Sequence, residues 1–397
     1  MTKINSSRAL LGLSFFLLTI GNSEALTNLG INQVFTYLGF FLLTLRLLSH
    51  FFGYKNPSRK FELFLFILTS FLFNIGIVYQ DLPASTKLRL VFTMLIIAEV
   101  ALLSNGLFTS KEDFITVGKA ILIAVVLATI LSLVFGVSLT TLAVEGVGDS
   151  SQGFNGGLQH KNYFAVAMLA SFMCFTFGAD LDRKYLKTRW LITILLILSN
   201  SRGGYILFVA FFVVMNFNKL KLVRREQRAL IILIAFIVVV SITALVYSDF
   251  VLKSSSYDIR IQGLMNYFQL YANDNFHLYL GNAEMAFRDS GLTYEENVRS
   301  ILGWNGTTEL SILSVLIKNG IVGLIGYLII FTYRIKQAVS LIPSRFKLEM
   351  FATLIALLGS ALLENYIVNI QIVFGIFCYV AIGSFPQMSR ELTLDES

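Results

Sequence analysis

Long apolar blocks constrain this chain more than any other feature of its sequence. They fall at 9–24, 33–50, 61–79, 88–106, 115–138, 162–179, 229–247, 310–333, 348–363 and 366–385, and a further apolar stretch covers 188–217. About 18 or more apolar residues in helical form cross the hydrocarbon core of a bilayer. Lipid offers no hydrogen bonds, so each span must satisfy its own backbone, and a chain built of such blocks becomes a bundle of helices. Composition agrees, with 56% hydrophobic and 14% charged residues against the roughly 25% charged in soluble domains. The expected fold is therefore all-α, a polytopic membrane helical bundle.

The stretch 188–217 is too long for one span and carries Ser199-Asn200-Ser201-Arg202-Gly203-Gly204 at its middle. An arginine at the bilayer centre costs roughly 2.5–3.5 kcal/mol even on a lenient scale. A hairpin of two short spans with Arg202 at the turn avoids that cost and brings the total to about 12 transmembrane helices. The first block follows Lys3 and Arg8 without a small-residue cleavage site and reads as a span, not a removed leader. Sidedness follows from the basic residues, which favour cytoplasmic loops. With both termini cytoplasmic, most of the 31 Lys and Arg fall in cytoplasmic segments, including the clusters at 183–189, 219–228 and 334–347. The net charge of +7 is thus a topology signal, and no nucleic-acid partner is implied. Arg202 then faces outside.

Three regions result: 1–247 with helices one to nine and short loops, 248–307 as one large external loop, and 308–397 with helices ten to twelve and a short cytoplasmic tail. The loop is polar and mixed in charge, and loops of this length are uncommon unless functional. Within it, 256–270 and 278–287 read as short helices lying over the membrane.

The outer face collects the residues that can carry chemistry. Arg202 sits in a Ser-Arg-Gly-Gly turn with Ser201 before it. Its planar fork can grip phosphate oxygens bidentately, or it can snorkel to ordinary lipid phosphates. Arg260 opens the large loop, as a ligand for phosphate or as the partner of Asp258 or Asp249. His160, Lys161 and Asn162 end a glycine-rich stretch, and together they can bind sugar or phosphate or simply start a helix. Glu309 precedes span ten, where a carboxylate can act as a general base or favour a helix N-terminus. Other signals carry less. Asp180-Leu181-Asp182 has metal-site spacing but no domain around it, and His50 and His277 are isolated, so no metal is expected. Cys174 and Cys378 lie in apolar runs and suggest neither a disulfide nor zinc. Lys318 and Asn319 interrupt span ten and mark a bend there, or a separate interfacial helix.

In order, these stretches resemble the bacterial O-antigen ligase and O-antigen (oligosaccharide repeat-unit) polymerase family of polytopic glycosyltransferases. The likeness rests on 153–162, a glycine-and-asparagine stretch at the start of a span; on 198–204, a Ser-Arg-Gly turn; on Arg260, early in the large outer loop; and on 309–323, which includes Gly320-Ile321-Val322-Gly323. It covers roughly 150–335, and the first five spans match only in hydropathy. Ligases of this family carry a histidine eleven residues before that first glycine, where this chain has Glu309, so the resemblance favours a polymerase. It implies a GT-C-like bundle in the bacterial cytoplasmic membrane. The implied activity is metal-independent, inverting transfer of a growing glycan from undecaprenyl diphosphate to a lipid-linked acceptor at the outer face. Arg202, Arg260 and Glu309 would be catalytic, and His160, Lys161, Asn162 and Ser201 would bind substrate. Partners would be undecaprenyl-diphosphate-linked oligosaccharides and membrane lipids, with a chain-length regulator and a flippase beside it; no cofactor is implied. A ligase-type glycan transferase or a lipid-linked oligosaccharide transporter are the alternatives. The latter fits less well, because the notable charges gather at one face instead of mid-membrane.

Overall fold

The computed structural model describes residues 6–53, 58–141, 152–222, 255–283, 310–341 and 345–395. It is mostly helical with almost no sheet. The helices are α1 (Ser6–Ile20), α2 (Glu24–Asn28), α3 (Asn32–Gly53), α4 (Arg59–Tyr79), α5 (Ala84–Leu103), α6 (Lys111–Val134), α7 (Lys161–Phe177), α8 (Lys184–Leu198), α9 (Arg202–Leu222), α10 (Ser255–Leu270), α11 (Asn275–Leu280), α12 (Ser311–Ser340), α13 (Arg345–Leu363) and α14 (Val373–Asp395). One short pair, β1 (Thr140–Thr141) with β2 (Gly153–Phe154), runs antiparallel in the connection between α6 and α7. Among the described residues, five helices are long and apolar enough to cross a membrane: α3, α4, α6, α12 and the 346–363 part of α13. The apolar helices α1, α7 and α9 contribute shorter apolar runs. The predicted ninth span, 229–247, lies outside the described residues.

Between helices in lipid the hydrophobic effect gives little, so close packing and internal polar contacts must hold the bundle. Gly118 lets α6 approach α7 so closely that a Cβ there would lie 2.8 Å from the Cβ of Cys174. A knot of rings formed by Phe108, Phe114, Phe177 and Phe385 joins α6, α7 and α14, with centroids 4.6–5.6 Å apart along its contacts. Cys174 and Cys378 are both buried as free thiols.

Alternate connections meet at opposite poles. At one, Arg8 pairs with Asp113 at 2.8 Å and Lys111 with Asp180 at 3.1 Å. Asp113 also accepts from the backbone of Ser110 at the start of α6. At the other, the Asn22 amide donates to the Gln371 carbonyl, and Gln159 donates its backbone N–H to Asn22 at 2.9 Å. Gln80 donates to the carbonyls of Leu280 and Lys318 and accepts from Ala283.

Three expectations change, and one of two open readings is decided. The block at 366–385 is not one helix: 364–372 is irregular and largely buried, and α14 starts only at Val373. The side chain of Asn369 accepts from Gln371 N–H and competes with helix formation. Neighbours satisfy the exposed backbone, with Tyr379 donating to the Ile367 carbonyl at 3.2 Å. Arg334, counted above as a loop charge, lies inside α12 and is 1% exposed. Its guanidinium donates to the Ala101 carbonyl, to Asn105 at 2.6 Å and to Gln337 at 2.7 Å. Buried Glu62 accepts from the Asn105 amide and from Tyr333 at 2.8 Å. In the described part of the helix expected at 278–287, α11 starts earlier, at Asn275, and ends before Gly281, whose φ is +81°; 284–287 lie outside the described residues. The interruption at Lys318 and Asn319 is a break within α12 itself: Gly320 has φ +63° and ψ −164°, a region only glycine enters freely.

Candidate functional site

The glycine-rich stretch before α7 and the α8–α9 turn meet at the pole marked by Asn22 and Gln371. β2 threads a narrow gap there. A Cβ on Gly153 would strike the Ser199 carbonyl at 2.0 Å and the Lys161 stem at 2.9 Å. Asn200 takes a positive φ of 49° and donates its amide to the Gln152 carbonyl at 2.9 Å, which closes the turn onto that strand. Ser201 caps α9 by accepting from Gly204 N–H at 3.2 Å. α8 and α9 thus join at 199–201, and Arg202 is the first helical residue beyond the turn.

A directed chain of hydrogen bonds links four elements. The buried Ser201 hydroxyl donates to Asn162 Oδ1 at 2.8 Å, and Asn162 Nδ2 donates to Glu364 Oε1 at 3.0 Å. The carbonyl of Glu364 accepts from Ser311 at 2.6 Å, which ties the end of α13 to the start of α12. Gly203 faces the same carboxylate: a Cβ there would sit 3.9 Å from Glu364 Oε1. Lys161, 7% exposed, and Arg202 stand close enough to repel one another. Lys161 donates its backbone N–H to Thr141 Oγ1 at 3.0 Å.

His160 plays a different part from a cationic ligand. It is the N-cap of α7, and its Nδ1 accepts from Asn162 N–H at 3.1 Å. Burial disfavours the imidazolium, the neighbouring Lys161 charge disfavours it further, and the pKa falls to about 4. His160 is therefore neutral at pH 7.

The arrangement suits an anion. Two cations and the N-termini of two apolar helices converge on it, and oriented N–H groups with positive dipole ends favour negative charge. The structure brings together Arg202, Ser201, His160, Lys161 and Asn162. Arg260 belongs to α10, but its side chain lies outside the described residues, as does Glu309. α10 packs on the start of α12, with Tyr267 donating to the Leu316 carbonyl at 2.9 Å. The sequence reading missed Glu364. Its signal was a carboxylate in Leu363-Glu364-Asn365-Tyr366 between two apolar blocks, and its partner stands 202 positions away. Asp180 and Asp182 pair with Lys111 and Lys184, at 3.1 and 2.7 Å. No protein-family model and no curated protein matches this chain.

Proposed function

We propose that this chain is a polysaccharide repeat-unit polymerase of the bacterial cytoplasmic membrane, a GT-C-like bundle of about twelve spans with both termini cytoplasmic. It transfers a growing glycan from undecaprenyl diphosphate to a lipid-linked acceptor at the outer face. The observation that carries this reading is the meeting of Arg202, Lys161 and Glu364 where α7 and α9 begin, at the pole opposite the paired basic segments. Charge that develops on a diphosphate leaving group is stabilised by guanidinium and ammonium groups fixed in advance. Arg202 grips the diphosphate with Lys161 beside it, and Arg260 approaches from the large loop. Glu309 takes the proton of the acceptor hydroxyl, and Glu364 holds Asn162 and the α9 N-terminus in register. Direct displacement inverts the anomeric centre.

Polymerisation of purified lipid-linked repeat units without a gradient tests the activity. Arg202→Lys should lose most product because lysine keeps the charge and not the fork. Glu309→Gln should lose about 10²–10⁴-fold, the usual contribution of a positioned base, whereas Glu364→Gln should lose far less. Full activity of Arg202→Lys at normal protein levels would remove the diphosphate clamp. No turnover by the unaltered protein, with gradient-dependent lipid movement instead, would make it a transporter.

A further inference from the structure

A second site lies at the opposite pole. α8 packs on α7, and α9 packs on α13, so α8 and α9 touch little beyond their shared turn. Between them and α7 runs a groove of about 960 Å³, near the upper end of ordinary ligand pockets. On α8 it is lined by Leu186, Arg189 and Thr193, and on α9 by Phe208, Phe211 and Met215. Both triplets follow the three-to-four-residue spacing of one helix face. The flanking surface is apolar and faces outward, with Trp190 66% and Ile194 53% exposed.

The groove has a polar end and an apolar end. Arg183 and Arg189 mark the polar end, close to where Lys111 and Asp180 pair. Arg189 Nε is buried and has no hydrogen-bond partner among the described residues. Asp180 also lines the groove, but it pairs with Lys111, and Asp182 pairs with Lys184, so the two arginines leave the polar end with a net positive charge. Ten residues of helix from Arg183 to Thr193 rise about 15 Å, half of the roughly 30 Å hydrocarbon core. A groove one leaflet deep, lined mostly by apolar side chains and cationic towards one end, has the shape and charge to hold a phospholipid.

We propose that this groove holds one anionic phospholipid, with its phosphate on Arg183 and Arg189 and an acyl chain between α8 and α9. The site does not depend on the glycan-transfer reading and lies away from Arg202. Native mass spectrometry of the full-length protein, released from nanodiscs of phosphatidylglycerol or of phosphatidylcholine with the same acyl chains, tests it. The expected result is one retained phosphatidylglycerol per chain and at least tenfold less phosphatidylcholine. Arg183→Gln with Arg189→Gln should lower phosphatidylglycerol retention at least tenfold. Met215→Trp should do the same by filling the groove while both arginines remain. Equal retention of the two lipids by the unaltered protein overturns the proposal. So does full retention by Met215→Trp, which would place the lipid on the surface and not in the groove.

Discussion

Replacing Asn162 with aspartate probes the hydrogen-bond chain that joins the ends of four helices. Aspartate still accepts from Ser201, but it puts an oxygen where Asn162 Nδ2 now donates to Glu364 at 3.0 Å. Two carboxylates at that distance repel by about 5.5 kcal/mol at an effective dielectric of 20. Taking up a proton is cheaper: holding one carboxyl neutral at pH 7 against an ordinary value near 4.3 costs about 3.7 kcal/mol. Lys161 and Arg202 offset part of this, so Asn162→Asp should destabilise by about 2–3 kcal/mol. Glu364→Gln alone should cost about 1 kcal/mol, because an amide oxygen still accepts from Asn162 while the charge assistance is lost. The double variant Asn162→Asp, Glu364→Gln reverses the donor, so it should recover at least about 1.5 kcal/mol relative to Asn162→Asp. Reversible unfolding in mixed micelles, followed by tryptophan fluorescence for all four proteins, gives the cycle. The reasoning fails if Asn162→Asp is as stable as the parent, or if the double variant is no more stable than Asn162→Asp.

His160 should make stability depend on pH. Its folded pKa of about 4 lies below the unfolded value near 6.5, so the unfolded state binds the extra proton. Stability should fall by up to about 3 kcal/mol as pH drops from 6.5 towards 4, and His160→Asn, which keeps a capping side chain, should flatten that window. Gly320→Ala should destabilise by at least about 1–3 kcal/mol, since its backbone region excludes side chains and the new Cβ would lie 2.3 Å from the Tyr279 carbonyl; limited proteolysis between α11 and α12 reads it. Arg334→Met should lower unfolding stability by about 3–5 kcal/mol by leaving Glu62 and its partners uncompensated, and Glu62→Gln on top of it should restore part of the loss. Reporter fusions at Asp182 should read cytoplasmic and those at Asn275 external, and an internal reading at Asn275 would reverse the proposed orientation.

The helices were legible because lipid leaves a sequence few options, and the α8–α9 turn was legible because an arginine marks the place where a span must end. Half of the candidate site followed from that turn and from the glycines before α7. Glu364 did not, since its role comes from Asn162, and no local pattern links residues 202 positions apart. The irregular 364–372 was hidden by its own apolarity: Ile367, Val368 and Ile370 look like a span, and only contacts with Ser311, Asn22 and Tyr379 show why the backbone can leave the helix. Arg334 was misread for the opposite reason. Near the end of an apolar block, a charge that faces water and one that faces protein are written alike.

That buried arginine bears on how the molecule is made. α12 carries Arg334 into the protein interior, at the end of the bundle where α4 begins and α5 ends. The groups that receive it, the Ala101 carbonyl and Asn105 with Glu62 behind, belong to α4, α5 and the turn after α5. Synthesis delivers those elements more than two hundred residues earlier. A receptor for that side chain is therefore made before α12 leaves the ribosome, and Arg334 meets its partners as α12 docks against α4 and α5. Chains lacking α4 should fail at this late step, with α12 made but not packed against the earlier helices.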